Sequence, residues 1–508
     1  MRHTAFILSI LIISVAVIAA HPWKRFGAQA AAYDSARRSS QPVDRIPPDF
    51  EKEVARVEAE MDNIEDAALA QMPKTTRDRR GQIRTLGKLL LFDKNLSVRK
   101  NEACSFCHTP ETGFTGPIQS LNLTSVSYPG SVRSRFSSRK PQSYMYAPFA
   151  PVLHYNKLQG DLAGGNFWDM RATGYRLQNP NAEQAQGPPT NPVEMGLPDS
   201  ACIAYRLSKA KYRGLFQTIW GVDSFAIQWP ANVEKVCSTP APPPAGDQYP
   251  VHLSPQDRTR ADRVYDGFAL SVSAYEMSPE VSPFNSKFDL VRIGQAKFTP
   301  EEELGYELFR GKARCDECHR NGGSAEEPLF TDFKATNLGV PRNSEVQFYF
   351  EGQPDAQGYS PNPDGSAYRD PGVGAFLRKL KTPSGQVNPS SPWVARAPQF
   401  DAKFQVPTLR NVDMRPYPSF VKAYMHNGYF KSLKEVVHFY NTRDVLPACA
   451  PGDPGEKISC WPAPENPANM NKRQLGHLGL TDKEEDALVA FLKTLTDGYK
   501  PSTQIAAK

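Results

Sequence analysis

Apolar residues recur at helical spacing near both ends of the chain. Between about Phe50 and Met72, apolar residues return every three or four positions within a charged segment: Val54, Val57, Met61, Ile64 and Ala68. Near the C-terminus, Thr481 and Glu484 form a capping box ahead of a second stripe: Leu488, Phe491, Leu492 and Leu495. No alternation of apolar and polar residues predicts a strand. The pattern therefore predicts a mostly α-helical protein.

Two similar segments indicate a weak internal duplication. LGKLLLF at residues 86–92 leads to CSFCH, and LGYELF at residues 304–309 leads to CDECH. Thr299 and Glu302 form a capping box with Pro300 at the first helical position, which predicts that the second helix starts just before its cysteines. Each half of the chain thus contains a predicted helix that is followed by a C-x-x-C-H motif.

A break in the helical pattern divides the chain near residue 285. Residues 262–277 look helical, and the Pro- and Ser-containing stretch at 278–286 looks like a connector. We therefore expect a first domain at 76–284 and a second at 285–500. Long Pro/Gly-rich loop insertions interrupt them at 238–250, 353–400 and 447–470.

The N-terminus contains an export segment. A sixteen-residue apolar run extends from Ala5 to Ala20, a length typical of a signal peptide and short for a spanning helix. We assign residues 1–30 to a signal peptide or an N-terminal anchor, and residues 31–75 to a linker and the first helix. The expected location is the periplasm, with anchoring to the inner membrane as the alternative.

Composition narrows the possible function classes. The 508 residues contain 60 Lys and Arg against 54 Asp and Glu, a net charge of +6 that argues against a dedicated nucleic-acid-binding protein. The 40% apolar content is ordinary for a globular protein and excludes a multispanning membrane protein. The 46 prolines and 34 glycines have no period, so repeat architectures are excluded and irregular connections are expected.

The eight cysteines fall into two groups. Four belong to the two close pairs of the repeated motif, and export permits disulfides among the others: Cys202, Cys237, Cys449 and Cys460. Cys202–Cys237 with Cys449–Cys460 is the pairing with the shortest loops, while the sequence leaves three connectivities open.

The two C-x-x-C-H motifs predict covalently bound haem. They consist of Cys104, Cys107 and His108, and of Cys315, Cys318 and His319. In such a motif the two thiols add to the vinyl groups of one haem, and the histidine becomes an iron ligand. A zinc site would need four ligands from two distant motifs, which the spacing does not favour. Two matches in an exported chain, each after a similar helix, therefore indicate two haem c groups.

Several further blocks accompany these motifs in a fixed order. They are LGKLLLFDKNLSVRKNEACSFCH, NFWDMRATG (166–174), NPVEMG (191–196), VPTLRNV (406–412) and YMHNGYFKSLKEVVHFYN (424–441). From about Leu86 to Leu495 the chain thereby resembles the bacterial di-haem cytochrome c peroxidase and MauG family. The resemblance implies two mostly helical cytochrome c-like domains with their haems facing a shared interface. The first haem would be peroxidatic and the second would transfer electrons.

The resemblance also implies a set of catalytic residues. Glu194 matches the family's distal acid, Gln184 its neighbouring amide, and Trp168 the indole between the haems. A carboxylate in a partly dry pocket can move a proton at moderate pH. The alternatives are that Glu194 is a surface carboxylate beside Pro192 and that Trp168 is a packed core aromatic.

The first haem is predicted to have an open iron position. In many di-haem peroxidases, a histidine in the loop after the first motif blocks the iron until the partner haem is reduced. Here no histidine occurs between His108 and His154. We therefore predict a five-coordinate first haem, as the likeness to the MauG branch implies, with His154 as the alternative sixth ligand.

Helical geometry singles out one candidate ligand for the second haem. Ser432 and Glu435 form a capping box, after which one face collects Leu433, Val436, Val437 and Tyr440. His438 falls about 140° from Leu433, away from that face.

Tyr440 also stands where peroxidases of the family have a Met ligand and where the MauG branch has a Tyr. A phenolate favours ferric iron and suits a haem driven to high oxidation states. The alternative is a packing tyrosine, with Met414 or Met425 as the ligand.

The family often holds a calcium ion between the domains through an Asn side chain and Thr and Pro carbonyls. The matching positions are Lys140, Val421 and Ala423, and a lysine in place of an oxygen ligand makes calcium doubtful. His426 matches a family histidine near the second haem, without an assigned role.

These residues predict an exported di-haem oxidoreductase that reacts with hydrogen peroxide at the His108 haem. Electrons would arrive through the Tyr440-ligated haem and Trp168. The donor is either a small cytochrome or copper protein, or an oxidisable, MauG-like protein substrate. The alternative function is a di-haem electron carrier without peroxidase activity, and a non-enzymatic binding protein ranks last.

Overall fold

The computed structural model describes residues 47–72, 78–242, 247–321, 327–380 and 392–501. The export segment and most of the linker lie outside these residues. The structure is mostly helical, as the apolar pattern predicts. None of the helices within the described ranges is both long and apolar enough to span a bilayer. The helices of the first half are α1 (Phe50–Ala70), α2 (Arg79–Phe92), α3 (Gln119–Leu123), α4 (Pro180–Ala185), α5 (Gly187–Thr190), α6 (Ala201–Leu207), α7 (Arg213–Trp220), α8 (Val233–Cys237) and α9 (Pro255–Glu276). Those of the second half are α10 (Lys287–Arg292), α11 (Pro300–Arg310), α12 (Gly372–Arg378), α13 (Pro392–Arg396), α14 (Leu433–Thr442) and α15 (Asp482–Lys493).

The predicted helix starts and stripes are confirmed. In α1 the buried positions include Val54, Val57, Met61 and Ala68. Both α11 and α15 begin with a complete capping box, formed by Thr299 with Glu302 and by Thr481 with Glu484. Local capping chemistry therefore sets these helix boundaries.

The repeated segments are α2 and α11, and each packs through a glycine against the last long helix of its half. A Cβ atom on Gly87 of α2 would overlap the carbonyl oxygen of Ser271 in α9. A Cβ atom on Gly305 of α11 would likewise overlap the carbonyl oxygen of Ala487 in α15. Backbones approach this closely only where no side chain intervenes. The weak duplication in the sequence is therefore a repeated helix pair.

Two main hydrophobic cores surround these helix pairs. The first collects buried residues between Phe50 and Val281, and the second collects buried residues between Phe288 and Leu495. Cys104 and Cys107 pack against the first core, and Cys315 packs against the second. Each core thus supports one C-x-x-C-H motif.

Within the described ranges, four short strands lie outside the helical cores. They form two antiparallel pairs: β1 (His154–Asn156) with β2 (Asp161–Ala163), and β3 (Ala335–Thr336) with β4 (Phe404–Gln405). Tyr155 lies opposite Leu162, and Thr336 lies opposite Phe404. Strands of two or three residues are too short for alternation to reveal them in the sequence.

Both disulfides of the shortest-loop pairing are present. Cys202–Cys237 joins α6 to α8, and Cys449–Cys460 closes part of the insertion at 447–470. The four motif cysteines are free thiols. The insertion at 353–400 is not a loop throughout, because it contains α12 and α13.

Candidate functional site

The first C-x-x-C-H motif presents its histidine in the form that binds a metal. The motif begins on a 3₁₀ turn, Cys104–Phe106. His108 Nδ1 lies 2.8 Å from the carbonyl oxygen of Phe114. Because a carbonyl only accepts, Nδ1–H is the donor and Nε2 keeps its lone pair. Burial lowers the pKa of His108 to about 4, so the imidazole is neutral at neutral pH.

The second motif repeats this arrangement. Its 3₁₀ turn is Cys315–Glu317, and His319 Nδ1 lies 2.9 Å from the carbonyl oxygen of Phe330. Burial lowers the pKa of His319 to about 4 as well. Each motif therefore offers two free thiols and one neutral imidazole beside a cavity, a donor set that fits a haem group.

The cavity beside His108 brings the predicted distal residues together. Its lining includes Cys104, Cys107, His108, Trp168, Gln184 and Glu194. Glu194 Oε1 accepts a hydrogen bond from Asn191 Nδ2 at 2.7 Å. Burial raises the pKa of Glu194, although Arg171 and the Asn191 hydrogen bond act in the opposite direction. A carboxyl group in this setting can take up and release a proton closer to neutral pH than an exposed one.

His108 is the one histidine among the described residues that line this first cavity. His154, the alternative ligand, is exposed on β1, where its Nδ1 lies 3.0 Å from the carbonyl oxygen of Val152. The structure therefore brings Glu194 and Gln184, rather than a second imidazole, to the cavity of the first motif.

Trp168 lines both cavities. Its indole N–H donates to the carbonyl oxygen of Lys140 at 3.0 Å, and its own carbonyl oxygen accepts from the Gln405 backbone N–H at 2.8 Å. The ring of His426 stands edge-on to the indole, with the centroids 6.5 Å apart. Trp168 is thus held from both halves and lies between the two motifs.

Helix α14 starts where predicted, but its capping box is only half formed. The Ser432 side chain accepts from the Glu435 backbone N–H, whereas the Glu435 carboxylate accepts from the Lys431 backbone N–H at 2.7 Å. Leu433 and Val437 are buried, as the stripe predicts.

Tyr440 lines the second cavity together with Cys315, Cys318 and His319. His438 points away, with its Nδ1 3.0 Å from Glu485 Oε1, as the helical geometry predicts. Burial raises the pKa of the Tyr440 phenol, so a phenolate at this position requires a metal cation to offset the negative charge.

The other candidate ligands of the second half are placed differently. Met425 lines both cavities, and Met414 lines neither. His426 is buried in the second cavity, where its ring stacks on Phe404 at a centroid distance of 3.7 Å. Burial lowers the pKa of His426 to about 4.

Lys140 stands at one of the positions that the resemblance assigns to a calcium ligand. Its Nζ donates to Thr115 Oγ1 at 2.6 Å and to the Pro141 carbonyl oxygen at 3.0 Å. The Val421 carbonyl oxygen accepts from Asn122 Nδ2 at 3.1 Å. An ammonium group and an amide thus bind to oxygens at the positions where the resemblance places a calcium ion.

Sequence reasoning missed an ion-pair network beside Trp168. Arg139 donates to Asp169 at 2.8 Å and to Asp370 at 2.7 Å, and Arg171 pairs with Asp169 at 2.9 Å. Asp169 and Arg171 belong to the NFWDMR block, so this block was the one sequence feature that could have indicated the network. Asp370 comes from a Pro/Gly-rich insertion, where no motif indicates it.

The sequence is similar to known proteins that are described as cytochrome c peroxidases or as MauG. The family model described as di-haem cytochrome c peroxidase matches residues 82–297. The methylamine utilization protein MauG of Paracoccus denitrificans is 32% identical over 421 residues, which cover 82% of this chain and 89% of that protein. The cytochrome-c peroxidase IdrP1 of Denitromonas iodatirespirans is 26% identical over 419 residues, which cover 81% of this chain and 80% of that protein.

The fold is similar to that of a solved diheme peroxidase. The crystal structure of BthA from Burkholderia thailandensis E264 superposes with a TM-score of 0.59 at 26% identity, covering 82% of this chain and 86% of that one. Sequence identity and fold extend over both motifs and the segments between them. The chain therefore belongs to the di-haem cytochrome c peroxidase and MauG family of oxidoreductases.

Proposed function

We propose that this chain is an exported, peroxide-dependent oxidoreductase with two covalently bound haem c groups, one in each of the domains 76–284 and 285–500. The first haem is attached at Cys104 and Cys107 and bound by His108. The second is attached at Cys315 and Cys318 and bound by His319 and Tyr440. The apolar run at the N-terminus and the two disulfides support a periplasmic location.

The observation that carries the proposal is the acid and amide beside His108. Reduction of hydrogen peroxide to two waters consumes two electrons and two protons, and a bound haem supplies electrons to the oxygen–oxygen bond. Glu194 accepts the proton from one peroxide oxygen and returns it to the oxygen that leaves as water. Gln184 holds the peroxide by hydrogen bonding, because an amide both donates and accepts.

Trp168 would provide the path for electrons from the second haem to the first, because its side chain lines both cavities. The external donor that replaces these electrons is a cytochrome, a copper protein or an oxidisable protein substrate. We favour the oxidisable protein, because a phenolate from Tyr440 stabilises ferric iron and does not suit a high-potential electron store. The similarity to MauG agrees with this choice.

The test is the absorption and electron paramagnetic resonance spectra of the fully haem-loaded ferric protein, before and after one equivalent of hydrogen peroxide. A mixture of high-spin and low-spin haem that is rapidly oxidised supports the proposal. Two low-spin haems that stay inert even after partial reduction would indicate an electron carrier instead. Reactivity only after partial reduction would contradict the open first haem.

A variant of Trp168 distinguishes the reaction of the first haem itself from the supply of electrons by the second haem. Trp168→Phe should leave the initial peroxide reaction of the first haem intact and slow the arrival of electrons from the second. Trp220→Phe is the matched control, because its indole donates to Ser271 Oγ at 3.0 Å and lines neither cavity. Equal effects of the two substitutions would argue against the bridge.

A further inference from the structure

Five cationic side chains line the first cavity within the described residues, and they are of two kinds. They are Arg139, Lys140, Arg171, Arg410 and Lys422. Every arginine has a carboxylate partner: Arg139 and Arg171 pair with Asp169, and Arg410 pairs with Asp289 at 2.7 Å. Neither lysine forms an ion pair with any carboxylate in the described part of the chain.

The two lysines donate to neutral oxygen atoms instead. Both are buried, with 8% of Lys140 and 4% of Lys422 exposed. The acceptors are Thr115 Oγ1 (2.6 Å) and Pro141 O (3.0 Å) for Lys140, and Thr112 O (2.8 Å) and Met414 O (2.7 Å) for Lys422. Since an ammonium has three N–H donors, each lysine keeps one for a further acceptor.

Such an arrangement is costly unless an anion completes it. Burying a charge without a counter-charge is strongly unfavourable. Accordingly, burial lowers the pKa of Lys140 to about 7 and that of Lys422 well below its usual value. The cavity that both lysines line is the one that fits the first haem, and a haem brings two propionate carboxylates with it.

We propose that the ammonium groups of Lys140 and Lys422 bind the propionates of the haem attached at Cys104 and Cys107. This inference rests on the proposed haem at His108. Haem binding would then join the two halves, because the haem is attached in the first half and Lys422, which lines its cavity, belongs to the second. It also fixes the bridge, since the Lys140 carbonyl oxygen accepts the Trp168 indole N–H.

The test measures the reduction potential of the first haem in the haem-loaded variants Lys140→Met and Lys422→Met. Reduction adds negative charge, so a neighbouring cation favours the ferrous form. Each substitution should shift the reduction equilibrium about tenfold toward ferric, which is about 59 mV for one electron. The potential should also become pH-dependent near neutral pH, because the propionates lose the charges that keep them ionised. Lys140→Arg and Lys422→Arg should restore the potential.

Lys431→Met is the matched control. The Lys431 Nζ also donates only to carbonyl oxygens, those of Asn122 at 2.7 Å and Gly428 at 2.8 Å, and burial lowers its pKa to about 7. Lys431 lines neither haem cavity. Its substitution should therefore leave the potential unchanged. Equal shifts in all three variants, or none in Lys140→Met and Lys422→Met, would overturn the inference.

Two further measurements keep this test separate from the proposed function. Haem content and peroxide reactivity of the wild-type protein decide whether the haem at His108 exists and reacts. A crystal structure of the haem-loaded wild type requires no variant to fold, and should show both Nζ atoms within 4 Å of propionate oxygens. Propionates bound only by Arg139, Arg410 or solvent would contradict the role of the lysines while leaving the peroxidase proposal intact.

Discussion

The two halves of the molecule share one frame and differ in what faces the imidazole. In both, a glycine-bearing helix precedes the motif, the motif lies on a 3₁₀ turn, and the histidine Nδ1 donates to a phenylalanine carbonyl. The first cavity then receives Glu194 and Gln184, whereas the second receives Tyr440 from α14. The shared frame therefore places the thiols and the imidazole, and residues outside it make the two cavities chemically different.

The halves also differ in charge around the cavity. The first cavity is lined by two lysines without carboxylate partners. Among the described residues that line the second, the cationic side chain is Arg314, which pairs with Glu317 at 2.6 Å. With haems bound as proposed, the unpaired lysines would raise the reduction potential of the first haem and a Tyr440 phenolate would lower that of the second. Together these two differences would favour electron flow from the second haem toward the first.

The largest expected effect is the loss of peroxide reactivity in Glu194→Gln. The amide keeps the shape and the hydrogen bond of the side chain but has no proton-accepting carboxylate, so the rate with peroxide should fall about 10²–10⁴-fold. The measurement is stopped-flow absorption of the haem-loaded protein mixed with hydrogen peroxide.

The pH dependence of that rate sharpens the assignment. Glu194 acts as a base in its ionised form, so the wild-type rate should rise with pH through the raised pKa of this carboxyl and then level off. Glu194→Gln should lack this limb. The control is Glu276→Gln in the same cavity, because burial raises the pKa of Glu276 to about 8 and an amide replaces an already neutral acid at pH 7. A larger rate loss in Glu276→Gln than in Glu194→Gln would assign the proton transfer to Glu276 and contradict the role of Glu194.

The next largest effect is on stability, through the disulfide of each half. Cys202–Cys237 closes a loop of 35 residues and Cys449–Cys460 a loop of 11. Loop-closure entropy predicts that the double Cys→Ser variants lose roughly 4 and 3 kcal/mol of unfolding free energy, respectively. Urea unfolding followed by circular dichroism measures both losses. The reverse order would show that local contacts outweigh loop length.

A smaller effect is expected from Tyr440→Phe, and it should be confined to the second haem. Removing a phenolate ligand should raise the potential of that haem on the order of 100 mV and turn its low-spin signal high-spin. The first haem should still react with peroxide. Spectroelectrochemistry and electron paramagnetic resonance report the two changes.

Tyr429→Phe is the control for that substitution. Tyr429 is also buried in the second core, but it lines neither cavity. An unchanged spectrum in Tyr440→Phe would mean that the tyrosine only packs, and that Met425 or His426 is the sixth ligand instead.

Local patterns in the sequence predicted the parts of this molecule that depend on near neighbours. Capping boxes located α11 and α15, and the motif spacing located both sets of thiols and imidazoles. The phase of α14 separated Tyr440 from His438 correctly, because side-chain direction in a helix follows from spacing alone. Resemblance to the family selected Glu194, Gln184 and Trp168, which the fold brings to one cavity.

Contacts over long sequence distances were not predictable in this way. Gln405, in the two-residue strand β4, binds the Trp168 carbonyl, and Asp370 pairs with Arg139 from a segment without a motif. Lys422 reaches Thr112 across 310 positions. Such pairs are fixed by the packing of the two halves against each other, and no local periodicity encodes that packing.

The smallest expected effect concerns calcium between the two halves. The Lys140 ammonium donates to Thr115 Oγ1 and the Pro141 carbonyl oxygen, and a divalent cation sharing these oxygens would be repelled by its charge. Dialysis of the haem-loaded wild type against a calcium chelator should therefore change neither haem spectrum nor potential. Lys140→Asn supplies an oxygen ligand and removes the charge, so this variant should bind calcium and respond to the chelator. A wild-type protein that releases one calcium ion per chain, with altered spectra, would show that the Lys140 ammonium does not exclude calcium from these oxygens.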